Sequence, residues 1–425
     1  MKNALHAFCL FCFSASAAAG SFEQLRAGAE PPSAPEPALR AEAAVDYLEG
    51  DSRYWVTVLA DDKYDRTALL TEGMDIVEVA KTSVSGFIDK VQMDQLAAKG
   101  FIVRGRQPIQ EYAKKHIKDF PAADAVYHNY KETVDELKGL AAAHPAETSL
   151  FVIGKSVEGR DIWCLRINPA EKGETPSSRP AAFFMGNHHG REHLTNEVAL
   201  GLAAHLLARK SDPEIKKYLK TLDIYIAPLT NPDGAEYDIA TGKYRWHRKN
   251  TRINPDKSVG VDLNRNYDSL WCQAGASTYP GADTYCGPYA FSEPETLTVK
   301  KFVEARPNLK TLMSYHSYSS LLLYPWAGKD VPLENERDRK VFEAMAKGMT
   351  AFTYYKPQQS SDLYVATGDT TDWAYANHGI FSFTTELEGT TFYPGAAIID
   401  KAVSKNIKAA VYLLSVTADP YSLAR

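Results

Sequence analysis

The sequence has no charge imbalance to steer it to a polyanion. Its 425 residues carry 48 Lys and Arg against 53 Asp and Glu, a net charge of −5, which gives no electrostatic reason to expect a nucleic-acid partner. Beyond the N-terminus it has no apolar run long enough to cross a bilayer, so no membrane association is expected. No internal repeat is visible. Hydrophobic residues at 44% and charged residues at 24% exclude disorder, collagen-like repeats and coiled coil as descriptions of the whole chain. What is present, 11% aromatics with 23 Pro and 26 Gly, suits a loop-rich enzyme with a large core.

Cysteine is scarce too, with five in the chain. Cys9 and Cys12 fall in a segment that reads as a secretory leader: Lys2, an apolar run from Ala4 to Phe13, then small residues to Gly20. Residues 1–20 are therefore expected to be a signal peptide, and the protein to be secreted, extracellular or periplasmic. In an oxidising compartment Cys272 and Cys286, in a Gly/Pro/Ser-rich loop, are the candidate disulfide, and Cys164 reads as a buried strand residue.

Residues 21–50, rich in Ala, Pro and Glu, read as a linker. From Tyr54 the order of patterns is βαββαβ: strands at 55–60, 75–80, 84–89 and 101–104, helices at 63–72 and 93–99. Residues 51–106 are expected to form a small α+β ferredoxin-like unit. The basic, polar stretch 104–118 then reads as an exposed, cleavable connector, with 107–119 as an activation segment. Residues 120–425 alternate strand-like and helix-like runs, the pattern of a mixed, mostly parallel α/β sheet flanked by helices. Buried strands are expected at 181–185, 222–229, 309–315 and 380–387, and an amphipathic helix at 196–209. Ser292-Glu-Pro-Glu295 has capping-box spacing before another helix.

The sharpest chemical feature is Gly186-Asn-His-His-Gly-Arg-Glu-His193, between an apolar strand and a helix. Strand ends are where α/β enzymes place their sites. His189 and Glu192 can aim an imidazole and a carboxylate at one point, and His316, at the end of another apolar run, offers a third zinc donor. Taken alone, a His-x-x-Glu pair is more often a solvated helix start.

Further motifs follow in order: Asn231-Pro-Asp-Gly234, Arg248-Lys-Asn250, Gly260-Val-Asp-Leu-Asn-Arg-Asn266, Ala290-Phe-Ser-Glu-Pro-Glu-Thr296, His316-Ser-Tyr-Ser319, Leu323-Tyr-Pro325, Tyr364, Asp372-Trp373 and Thr384-Thr-Glu386. With His189-Gly-Arg-Glu192 they span some 300 residues, and over them the chain resembles the zinc metallocarboxypeptidases of the carboxypeptidase A/B/T family. Residues 51–106 resemble that family's inhibitory propeptide by length, position and element order. The resemblance implies a Zn²⁺ cofactor on His189, Glu192 and His316, with Asp262 holding the outer nitrogen of His189. It implies Glu386 as general base and Arg248 as oxyanion stabiliser, with Arg245 a competitor because His247 separates Trp246 from Arg248. Asn264, Arg265 and Tyr364 match the groups that bind a terminal carboxylate, and Arg191 and Tyr318 match the next subsite outward. Thr371 falls at the pocket floor, and Asp369 resembles a side-wall acid of the bacterial carboxypeptidase T branch, within apolar walls from Leu323, Ala327 and Ala366. His188 and His193 read as neighbours of ligands, since three protein donors complete a catalytic zinc.

These resemblances imply a monomeric exopeptidase acting on peptide and protein C-termini, made as a zymogen and released by an activating protease. The rival readings are a zinc peptidase of cell-wall peptides with γ-glutamyl-diaminopimelate links, a non-catalytic peptide-binding module on the same fold, and a small-molecule deacylase.

Overall fold

From Arg53 onward, residues facing solvent alternate with residues at zero or near-zero exposure, and the chain answers with strands. The structure is a computed structural model and describes residues 51–116, 127–240 and 244–425, all within one compact unit. The expected leader, the expected linker and residues 117–119 of the expected activation segment lie outside the described residues.

The first six elements are β1 (Arg53–Leu59), α1 (Lys63–Thr71), β2 (Asp75–Val79), β3 (Ser83–Asp89), α2 (Lys90–Ala98) and β4 (Val103–Pro108). The strands form an antiparallel sheet in the order β2-β3-β1-β4. Asp62 starts α1 and Asp89 starts α2 by accepting backbone N–H groups of the first turn. Leu69, Met93 and Leu96 from the two helices pack with Val56, Val58, Val84 and Ile88, so both helices cover one face, as the βαββαβ pattern leads one to expect. The stretch expected to be a loose connector is instead ordered over its first part. β4 pairs with β1 as far as Pro108, and α3 (Ile109–His116) follows, with Ile109 and Tyr112 buried beside Phe87 and Trp246.

The larger sheet contains β5 (Thr148–Lys155), β6 (Asp161–Ile167), β7 (Ala181–Met185), β8 (Asp223–Ala227), β9 (Leu309–Ser317), β10 (Leu321–Tyr324), β11 (Lys356–Gln359) and β12 (Phe381–Leu387). Its order is β11-β10-β12-β9-β7-β8-β6-β5. The central strands β12, β9, β7 and β8 are mutually parallel, and β5, β6 and β10 add antiparallel pairings. Every residue of β7 and β8 is buried, as expected for parallel strands covered on both faces.

Those faces are covered by α4 (Tyr130–Ala143), α5 (Leu194–Ala208), α6 (Pro213–Thr221), α7 (Pro232–Ile239), α8 (Pro294–Glu304), α9 (Glu336–Thr353), α10 (Thr370–His378) and α11 (Ala396–Thr417). Two expectations change here. α5 is not amphipathic in place: nearly all of its residues are buried, because α4 and α11 pack against the sides left open by the sheet. Nor does Ser292 cap α8, which starts from Glu293 with Pro294 in its first turn. No side chain caps the first turn, and Asn266 from another loop anchors this helix start, its Oδ1 accepting from the Glu293 N–H and the Thr296 hydroxyl.

Candidate functional site

The parallel strands carry chemistry at their C-terminal ends, where main-chain groups are no longer paired. After β7 the chain must turn into α5 beneath a crowded roof. A Cβ on Gly190 would lie 2.4 Å from the Gly234 carbonyl oxygen and 2.9 Å from that of His247, so only glycine fits between His189 and Glu192. The turn aims both side chains at one point. β9 delivers His316 to the same point, and β12 places Glu386 beside His316 in register.

His189 Nδ1 lies 2.7 Å from Glu192 Oε1, His316 Nδ1 lies 3.2 Å from Glu192 Oε2, and the two Nδ1 atoms are 3.2 Å apart. These three side chains are the one group among the described residues whose donor atoms could hold a metal, all within 4.8 Å of one another. Their outer nitrogens are engaged: His189 Nε2 meets Asp262 Oδ1 at 3.1 Å and His316 Nε2 meets Ser314 Oγ at 3.0 Å. Two ring lone pairs and a carboxylate facing one point need a cation between them. Burial alone would lower the His189 pKa, and Arg248 lowers it too, but Glu192 and Asp262 outweigh them and hold it above its usual value. The site demands positive charge, and its two nitrogens and one carboxylate suit zinc.

Asp262 is fully buried and knits the surroundings together. Its Oδ2 accepts from Arg248 Nε at 2.9 Å and from a terminal Arg248 nitrogen at 2.8 Å. Burial opposes ionisation of Asp262, yet Arg248 and then His189 keep its pKa well below the carboxylate range. Thus anchored, Arg248 brings NH1 to 3.4 Å from His189 Nδ1. Arg245 points elsewhere, its guanidinium stacked 4.4 Å from the centre of the Tyr237 ring. The Glu386 carboxyl is pushed up to about 8, first by burial and then by the charge of Glu192.

A cavity of about 320 Å³ opens beside these groups, and its lining includes Asn264, Arg265, Tyr364, Asp369, Leu323, Ala327, Ala366, Arg191 and Tyr318. Thus the structure brings together every expected site residue except Thr371, which is buried behind the wall with its hydroxyl on Asp369. Asp369 differs from expectation in its surroundings. It is only 7% exposed and caps α10, its Oδ1 accepting from the N–H groups of Thr371 and Asp372, while Oδ2 accepts from Asn264 Nδ2 at 3.1 Å. A carboxylate so used is no solvated rim group. Arg265 is fixed through Nε to Gly275 O and through NH1 to Asn264 O, both at 2.8 Å.

Three participants were given no role from the sequence. Asp75, the first residue of β2, reaches Arg191 NH1 at 2.6 Å and Arg248 NH1 at 3.8 Å, while Ile76, Val77 and Val79 line the cavity. Phe392 lies under the Arg191 guanidinium at 4.0 Å. The Thr384 hydroxyl, on the cavity wall, is buried without a hydrogen-bond partner. Asp75 and Phe392 belong to no quoted motif, and a single acid opening a strand carries no signal of its own; Thr384 heads the Thr384-Thr-Glu386 motif, where only Glu386 was given a role. The expected disulfide is present, Cys272 to Cys286 with Cα atoms 5.8 Å apart, and Cys164 is buried.

Comparison with known proteins agrees with this geometry. The sequence profile of the zinc carboxypeptidase family matches residues 133–409. The chain is 34% identical over 312 residues to a zinc carboxypeptidase of Saccharothrix mutabilis subsp. capreolus, covering 70% of this chain and 71% of that protein. It is 34% identical over 288 residues to carboxypeptidase A1 of Bos taurus, covering 65% and 67% of the two. In fold it resembles the crystal structure of carboxypeptidase A from Helicoverpa armigera, with a TM-score of 0.73 at 23% identity over 86% of this chain and 98% of that one.

Proposed function

The chain belongs to the zinc carboxypeptidase family, and from that membership we propose that it is a secreted enzyme, made with its own inhibitory segment, that removes residues from the free C-termini of peptides and proteins. As a member of that family it is a hydrolytic exopeptidase that uses Zn²⁺. The observation that carries the finer reading is the meeting of His189, Glu192 and His316 with Glu386 beside them and a cation-lined cavity in front.

His189 and His316 would hold the metal through Nδ1, and Glu192 through its carboxylate. Zinc bound there supplies Lewis acidity to a carbonyl and a water, and a positive charge that opposes the rise in the Glu386 pKa. Glu386 takes the proton of the attacking water on a carboxylate oxygen and passes it to the departing amine nitrogen. Arg248, its plane fixed by Asp262, places NH1 where negative charge develops on the scissile carbonyl oxygen. Asn264, Arg265 and Tyr364 bind the terminal carboxylate, with Arg191 and Tyr318 further out. Leu323, Ala327 and Ala366 favour apolar side chains in the cavity. The capping bonds on Asp369 leave it a weak partner for Lys or Arg, which are taken more slowly.

Residues 51–106 act as the inhibitory segment: β2 lies along the cleft wall and Asp75 occupies Arg191. With β4 and the start of α3 packed, the activating cut falls beyond Tyr112, at Lys114, Lys115 or Lys118. The leader-like N-terminus and the Cys272–Cys286 disulfide support secretion.

Metal analysis and kinetics of Glu386→Gln test this reading. The variant should keep one zinc per chain and lose about 10³-fold in kcat on a blocked dipeptide. Retained turnover would remove Glu386 from the role of base, and full activity of metal-free protein would remove zinc from the reaction.

A further inference from the structure

A line of hydrogen bonds runs behind the site, from the carboxylate-binding side to His316, and its protons can be assigned from chemistry alone. The starting point is Asn264. Its Nδ2 donates to the Asp369 carboxylate at 3.1 Å, so its Oδ1 faces Thr370 and accepts from the Thr370 N–H at 3.0 Å and hydroxyl at 2.7 Å. That commits the only hydroxyl proton of Thr370. With that proton committed, a bare His188 Nε2 would set its lone pair against that of the Thr370 oxygen at 3.3 Å, so Nε2 is assigned as the donor, to this oxygen and to that of Tyr267 at 2.9 Å. A neutral imidazole with hydrogen on Nε2 has a bare Nδ1. Ser314 Oγ, 3.2 Å from His188 Nδ1, then gives it a proton and has only lone pairs left for His316 Nε2 at 3.0 Å. His316 thus carries its hydrogen on Nε2, and its Nδ1 lone pair points at His189 and Glu192. His188 and His316 also stack, with ring centres 5.5 Å apart and planes 15° from parallel.

We propose that His188 is a positioning residue that, through Ser314, fixes the tautomer and orientation of His316, and that it couples this ligand to Asn264 through Thr370. The inference rests on the assignment of His316 as a zinc ligand. All of these groups are buried, so no water competes for the bonds, and the chain has one consistent direction. His189 has its own outer partner in Asp262, a carboxylate. His316 meets only a hydroxyl, that of Ser314, and receives its orientation at second hand from a neutral relay.

The test is zinc affinity of the full chain, measured by competition with a chelator. His188→Phe keeps the stacked ring and removes both nitrogens, and Ser314→Ala removes the middle hydroxyl. Each should weaken zinc binding by about 10–100-fold. The double variant should be no weaker than His188→Phe within about threefold, because one relay is broken once. His188→Gln, whose amide offers an acceptor and a donor at nearly the spacing of the ring nitrogens, should restore affinity to within about threefold of the parent. Thr370→Val, far from the metal and isosteric, should still weaken it by roughly threefold to tenfold, and it keeps the test open if the His188 variants do not fold. Unchanged affinity in Thr370→Val or Ser314→Ala, multiplying losses in the double variant, or a Gln variant as weak as Phe would overturn the relay. His316→Ala binding zinc as tightly as the parent would instead overturn the ligand assignment on which the relay rests.

Discussion

On the proposed inhibitory role of residues 51–106, replacing Asp75 with Asn should release much of the activity that the uncut chain would withhold. Asp75 is 2% exposed and its carboxylate lies 2.6 Å from Arg191 NH1 and 3.8 Å from Arg248 NH1. Burial by itself would raise its pKa, but Arg191 and then Arg248 outweigh burial and hold it below the usual carboxylate range. The amide keeps the shape and loses the charge, leaving two buried guanidinium groups facing a neutral partner. Hydrogen bonds to charged groups contribute about 1.5–3 kcal/mol, and breaking one side of a buried ion pair costs about 3–5 kcal/mol. A value near 3 kcal/mol changes the ratio of closed to open forms by about 100-fold. The segment should still fold, because its own core and the stack of Trp55 and Tyr112 near Trp246 do not involve Asp75. The assay is the initial rate of the uncut chain on a blocked dipeptide, before and after proteolysis. Asp75→Asn should raise the uncut rate by up to about 100-fold, and the clipped forms should match, since residue 75 departs with the segment. Asp94→Asn, which removes an exposed pair with Lys90, is the control. A rise below about threefold, or one that persists in the clipped protein, would refute the reasoning.

Glu295 is buried, and burial pushes its carboxyl up to about 7 from 4.5. The folded state therefore keeps a proton that the unfolded chain releases, so stability is full below about pH 4.5, falls as pH rises to about 7, and is level above it. The loss is on the order of 3 kcal/mol, and thermal unfolding of Glu295→Gln should show a flatter profile over that window. Asp369→Ala should lower stability by about 1 kcal/mol through the lost cap of α10 and raise KM for free C-termini through Asn264, with apolar and basic substrates read in parallel. Replacing Cys272 and Cys286 with Ser should cost about 3 kcal/mol for a loop of this size, measured by denaturant unfolding.

The parallel core strands and the positions of His189, Glu192 and His316 were legible because each is locally encoded, chemistry at the end of an apolar run, whereas Glu386, inside β12, was read only through the family resemblance. The βαββαβ order was legible for the same reason as the strands. What escaped depends on contacts between distant segments. Periodicity could not tell that α4 and α11 would bury the outer sides of α5, nor that α8 would start at Glu293 with no side-chain cap. Asp369 was identified as a pocket acid, but its duty as a cap of α10 depends on backbone direction. Asp75 acquires meaning only when β2 is laid along the cleft.

The central claim, that this site removes residues at a free C-terminus, is tested most directly by mass spectrometry of one peptide in two forms, free acid and C-terminal amide, treated with the clipped, zinc-loaded protein. On the proposed recognition of a carboxylate by Arg265 and Asn264, the free acid should lose its last residue, one residue per step, and the amide should remain intact. Cleavage within the peptide, or equal trimming of the amide, would contradict the account.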